Sequence, residues 1–112
     1  MEIQSLTPVL PVDDLAAAVG FFRELFGCEP TFVDGDRWAQ FDIAGRRLAL
    51  AGRDRPSVRA GIMVKVGDLD AARRLVGELG FEAGEIEDGA HERRFTAAGP
   101  GDWPVTCYAP KA

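Results

Sequence analysis

The 112-residue chain reads as an α+β protein made of two tandem β-α-β-β-β modules. Three observations predict this. A shift of 54 residues aligns Val12 with Val66, Asp14 with Asp68, Leu15 with Leu69, Ala17 with Ala71, Ala18 with Ala72, Glu24 with Glu78 and Leu25 with Leu79. After a short slip the same register returns, pairing Phe41 with Phe95, Ala44 with Ala98 and Gly45 with Gly99. An internal repeat of this length marks two copies of one supersecondary unit. Second, each copy opens on a short aliphatic run followed by Asp-Leu and an apolar stripe at helical spacing. Third, each copy continues through alternating stretches cut by Gly-containing turns, the signature of hairpins.

The elements follow in order. "PVLPV" at 8–12 is a strand, and Pro8 and Pro11, which cannot donate to a ladder, predict that it lies at an edge or is poorly paired. Asp14 sits at an N-cap position, and Leu15, Val19, Phe22 and Leu25 share one helical face. Gly27 closes that helix. Strands are expected at 31–34, 37–43 and 47–51, with "DGD" and "AGR" as their turns. The polar "RDRPSVR" at 53–59 reads as a linker. In the second copy "GIMVKV" at 61–66 is the first strand, Asp68 the cap, and Leu69, Ala72, Val76 and Leu79 share one helical face, closed by Gly80. Strands at 83–87, 91–97 and 103–108 complete it. The expected organisation is one domain, 1–112, with modules at 1–52 and 61–112 and a linker at 53–60.

A hydrophobic share of 46% with 28% charged residues is that of an ordinary globular chain. The net charge of −5, with no basic run, argues against nucleic acid and anionic membrane as partners. "MEIQSLTPVL" lacks the basic and long apolar regions of a signal peptide, and no apolar run approaches the roughly 20 residues that span a bilayer. Cys28 and Cys107 are too few for a disulfide framework. A cytoplasmic location is the expectation.

"VDDLAAAVGFFRELFG" at 12–27 resembles the V-x-D-L-x-x-S-x-x-F-Y-x-x-L-G pattern of the vicinal oxygen chelate superfamily, and "GPGDWPVTCYAP" at 99–110 its D-P-x-G-x-x-I-E-x-Y ending. That superfamily includes glyoxalase I, bleomycin-resistance proteins and extradiol dioxygenases, and the resemblance spans essentially the whole chain. It implies curved half-barrel sheets with the helices on the convex face and a cavity on the concave one. Strand alternation then turns Leu10, Val12, Phe41, Ile43, Leu48, Leu50, Val64, Val66 and Phe95 toward the helices. Thr7, Val9, Trp38, Gln40, Asp42, Ala49, Met63, Lys65, Glu92, Arg94, Thr96, Thr106 and Tyr108 fall on the other face.

The resemblance also implies where metal-dependent members carry their ligands, and those positions hold Thr7, Ala49, Gly61 and Thr106 here. Divalent metals in such sites need imidazole or carboxylate donors, so no metal and no cofactor is expected. Other chemistry has blander readings. His91, the only histidine, is a strand-start surface residue. Asp42, Glu92 and Arg94 could do acid–base work, but a salt-bridged patch is the better reading. Lys65 could be a nucleophilic amine but more plainly snorkels at a cavity mouth. Cys107 reads as a buried inert thiol, Cys28 as unactivated, and "GPGD" at 99–102 as a turn. Trp38 and Tyr108 are suited to stacking on a planar ligand, with Trp103 nearby. The expected ligand site is therefore Trp38, Gln40, Asp42, Met63, Lys65, Glu92, Arg94, Thr106 and Tyr108, with no catalytic residue. The expected function is metal-independent sequestration of a small aromatic molecule by a homodimer, in the manner of bleomycin-resistance proteins. The alternative is a metal-dependent glyoxalase-like lyase, isomerase or dioxygenase.

Overall fold

The computed structural model describes residues 2–111, which form two compact units. One is Thr7–Ala60; the other joins the residues before Thr7 to those from Gly61 onward. Strand β1 (Ile3–Pro11) contributes to both, with Ile3–Leu6 in the second unit and the remainder in the first.

In the first unit β1 leads to α1 (Leu15–Phe26), then β2 (Phe32–Asp34), β3 (Trp38–Ile43) and β4 (Arg46–Ala51), in the sheet order β2-β3-β4-β1. Strands β2, β3 and β4 are antiparallel, and β1 joins β4 in parallel with Val9 opposite Ala49 and Pro11 opposite Ala51. The Val12 N–H donates to the Ala51 carbonyl at 2.9 Å and extends that ladder. The expected weak strand at 8–12 is thus corrected to a nine-residue strand that starts at Ile3. The prolines weaken it little, because the ladder to β4 begins at Val9, beyond Pro8. At the other end Val12, not Pro11, supplies the donor.

Both helices begin where a short carboxylate can satisfy a free N–H. Asp14 Oδ1 accepts from Ala17 N at 3.0 Å, and Asp68 Oδ1 from Ala71 N at 3.0 Å. Gly27 ends α1 in the left-handed region (φ 67°), its N–H donating to Arg23 O at 2.9 Å. Helix α2 (Leu69–Glu78) ends at Leu79, with Gly80 taking the positive φ one residue later. Asp68→Ala is expected to cost about 1 kcal/mol through loss of this cap, read as a lower urea midpoint at unchanged slope.

The second unit holds β5 (Gly61–Val66), α2, β6 (Glu87–Asp88), β7 (Glu92–Ala98), a 3₁₀ turn (Pro100–Asp102) and β8 (Pro104–Pro110), in the order β5-β8-β7-β6 with the start of β1 beside β5. Strand β5 is parallel to β8, and β8, β7 and β6 are antiparallel. The strand expected at 83–87 is corrected to the two residues of β6 plus one isolated bridge, Ala83 to Ala97. Arg73 on α2 explains the difference. Its Nε donates to Gly84 O at 2.9 Å and its Nη2 to Ala83 O at 3.5 Å, so carbonyls that a strand partner would use are held by a guanidinium.

Each unit has its own core on the helix side of its sheet. Leu15, Val19, Ala39, Phe41 and Leu50 are buried together in the first, with Leu10, Val12, Phe22, Phe26, Ile43 and Leu48 packed against them. Val64, Val66, Leu69, Ala72, Phe95 and Cys107 form the second. All nine residues assigned to the helix side by alternation are in these clusters. The segment read as a linker is tied down. Arg55 donates to Gly52 O (2.9 Å), Val12 O (2.9 Å) and Asp13 Oδ1 (3.2 Å), while Arg37 pairs with Asp54 and Arg53 with Asp36.

Candidate functional site

The faces turned away from the helices carry the residues proposed for ligand binding, three in the first unit and six in the second. In the first, Trp38 and Gln40 are half-buried on β3, opposite Ala51 and Ala49. Phe32 lies across from Gln40 on β2, and Val9 across from Ala49 on β1. Asp42 is exposed, and its Oδ1 accepts from Gly45 N at 3.0 Å. It braces the β3–β4 turn, where Ala44 and Gly45 have positive φ. That turn role has a sequence signal, an Asp three residues before a Gly, which the reading as a cavity anchor passed over.

In the second unit the strand register builds two rows. Met63, Thr106 and Thr96 face one another across β5, β8 and β7, and the Thr96 and Thr106 hydroxyls share a hydrogen bond of 2.9 Å. Thr106 and Met63 are buried. The next row is Lys65, Tyr108 and Arg94, all half-buried, with Glu87 of β6 opposite Arg94. Glu92, also half-buried, stands opposite Pro110 at the far end of β7. Arg73 and Arg93 of this unit pair with Glu85 and Asp88, but among the described residues neither Lys65 nor Arg94 forms an ion pair.

The aromatic groups divide sharply. The ring contacts among the described residues join Phe21, Phe22, Phe26 and Phe41 around α1. Trp38 and Tyr108 make none. Trp103 follows the 3₁₀ turn, 58% exposed, beside Gly101. His91 is exposed, its carbonyl accepting from Lys111 N at 3.1 Å. Cys107 is buried in the second core, and burial pushes its thiol pKa up, which suppresses the reactive thiolate. Cys28 packs beside the first core. One polar group that the sequence reading missed is Ser5 on β1, whose Oγ is buried with no hydrogen-bond partner among the described residues.

The positions that the resemblance implies for metal ligands do not fit a metal. Thr7 and Ala49 are buried in the first unit, without imidazole or carboxylate. In the second, Thr106 is bonded to Thr96, and Gly61 has no room for a side chain. A Cβ there would overlap the Pro104 carbonyl oxygen and lie 2.6 Å from Pro104 Cγ. Among the described residues no group of three or more His, Cys, Asp or Glu could hold a metal ion.

Compared as a sequence, the chain matches no family model and no curated protein. Its fold has clear counterparts. The NAD-dependent benzaldehyde dehydrogenase of Legionella pneumophila superposes with a TM-score of 0.83 at 14% identity, over 96% of this chain and 100% of that one. A glyoxalase/bleomycin resistance protein/dioxygenase superfamily member from Vibrio splendidus 12B01 gives 0.73 at 15% identity, over 96% and 99%. The Streptomyces coelicolor methylmalonyl-CoA epimerase gives 0.68 at 18% identity, over 99% and 100%. The α+β fold with tandem βαβββ modules is that of the vicinal oxygen chelate superfamily.

Proposed function

We propose that this chain, built on the fold of glyoxalases and bleomycin-resistance proteins, binds a small planar organic molecule without a metal ion. The observation that carries the reading is one aromatic ring in each unit, Trp38 in the first and Tyr108 in the second. Both rings are half-buried on faces turned from the helices, and neither is used in a ring contact among the described residues. Flat, amphipathic rings held this way are suited to a planar ligand. The donor chemistry at Thr7, Ala49, Gly61 and Thr106 supports metal-independent binding over a metal-dependent lyase or dioxygenase.

Sequestration of the bleomycin-resistance kind, pairing as a homodimer and a cytoplasmic location belong to the same proposal. Among the described residues no helix is long and apolar enough to cross a membrane. Native mass spectrometry of the purified protein, with and without added Ni, Zn, Mn or Fe, tests the central claim. A dimer that takes up no stoichiometric metal and carries an organic mass is the expected result; one metal per chain would overturn it. Trp38→Ala is expected to weaken binding of a planar aromatic ligand by a few-fold to about tenfold, since one stack contributes about 0.5–1.5 kcal/mol. Calorimetric titration of the ligand identified by mass checks this, and an unchanged affinity would remove Trp38 from the site.

A further inference from the structure

We propose that the ligand is an organic carboxylate, and that the row Lys65–Tyr108–Arg94 in the second unit is the seat of its anionic group. This rests on the reading of the chain as a binder of planar molecules and narrows its ligand class.

The geometry is set by register. Lys65 is the direct neighbour of Tyr108 across the parallel β5–β8 pair, and Tyr108 of Arg94 across the antiparallel β8–β7 pair. Adjacent strands stand about 4.7–4.9 Å apart, and directly opposed residues project from the same face. Two cationic side chains thus flank one phenol, an arrangement that offers charged donors on either side of a hydroxyl. A planar carboxylate, with two oxygens to accept from Arg, Lys and Tyr, matches that donor set.

Charge distribution makes the row unusual for this protein. The chain has 18 acidic residues against 13 Lys and Arg, yet among the described residues neither Lys65 nor Arg94, both half-buried, forms an ion pair. Glu87 is opposite Arg94 in register, yet no ion pair joins them. Cations on a sheet face with no ion pair among the described residues are placed to meet an anionic ligand.

A charge series on one planar frame tests the assignment. The probes are 2-naphthoate, its neutral isostere 2-naphthamide and the cation 2-naphthylmethylammonium, with benzoate and benzamide as a smaller pair. Affinities are measured by ligand-observed NMR at low ionic strength. The expected result is that the carboxylate of at least one pair binds about tenfold or more tightly than its amide, as a charge-assisted hydrogen bond requires. Lys65→Gln and Arg94→Gln should each abolish most of that preference, and added salt should narrow it. Far-UV circular dichroism and thermal melts confirm that both variants are folded. Equal binding of acid and amide, preference for the ammonium, or an acid preference that survives both substitutions would overturn the carboxylate seat and leave the planar-ligand reading standing. Absence of binding by every probe at millimolar concentration would overturn both.

Discussion

Phe41→Ala is expected to remove about 3–5 kcal/mol of stability, a large share of the roughly 5–15 kcal/mol that holds a typical domain together. Phe41 is completely buried on β3, at the centre of the first core. Its ring meets Phe26 edge-on at 5.7 Å between centroids and lies 6.3 Å from Phe22, while Phe22 and Phe26 stack at 5.2 Å. Truncation would forfeit the transfer energy of the ring and leave a cavity that α1 can close only in part. The internal repeat supplies the control. Phe95 is the equivalent residue of the second copy, also buried, but it packs among Val64, Val66, Leu69, Ala72 and Cys107 with no ring contact among the described residues. Phe95→Ala should therefore cost less than Phe41→Ala by the aromatic terms alone, about 0.5–1.5 kcal/mol for each ring pair. Urea unfolding of both variants measures the difference. A loss below about 1 kcal/mol at Phe41 would show that the core as described does not carry the fold.

Gly61→Ala is the second substitution with a large expected effect, and it bears on function. The added methyl would collide with the Pro104 carbonyl oxygen and crowd its ring, where β5 and β8 begin their parallel pairing at Ile62 and Val105. The obstacle is backbone, so the strands themselves must part. The expected cost is about 1–3 kcal/mol. Gly67→Ala is the control, because the nearest atom to a Cβ there is Gln4 Nε2 at an ordinary 3.6 Å, and its stability should change little. The same geometry predicts that Gly61→His will lose stability and gain no metal affinity, measurable by thermal melts with and without Zn. A stable variant that binds Zn would show that the position is open to a ligand.

Much of this was legible in the sequence. Both N-caps, the end of α1 at Gly27, the bounds of β5 and the assignment of Phe41, Leu50, Val64 and Phe95 to the helix side all followed from local pattern. The reason is range. A cap is decided by a side chain three residues from its donor, and alternation along a strand by the chirality of neighbouring residues. The repeat added a second copy of each signal.

Other features depend on partners far away in sequence. Strand β1 reaches back to Ile3 and divides between two units, which no propensity at "IQSLT" announces. Residues 83–87 lost most of a strand because Arg73 holds their carbonyls, and Arg55 turned an apparent linker into an anchored segment. Asp42 gave its carboxylate to a turn, Gly61 has no side chain because another strand's backbone fills its place, and Ser5 Oγ is buried without a hydrogen-bond partner among the described residues. The sequence by itself determined both helices with their N-caps and which face of β3, β5 and β7 meets a helix. The tertiary structure alone decided which polar groups are spent on the fold and which, like Lys65 and Arg94, form no ion pair among the described residues. That outcome depends on distances between strands, and a linear pattern of residue types does not contain them.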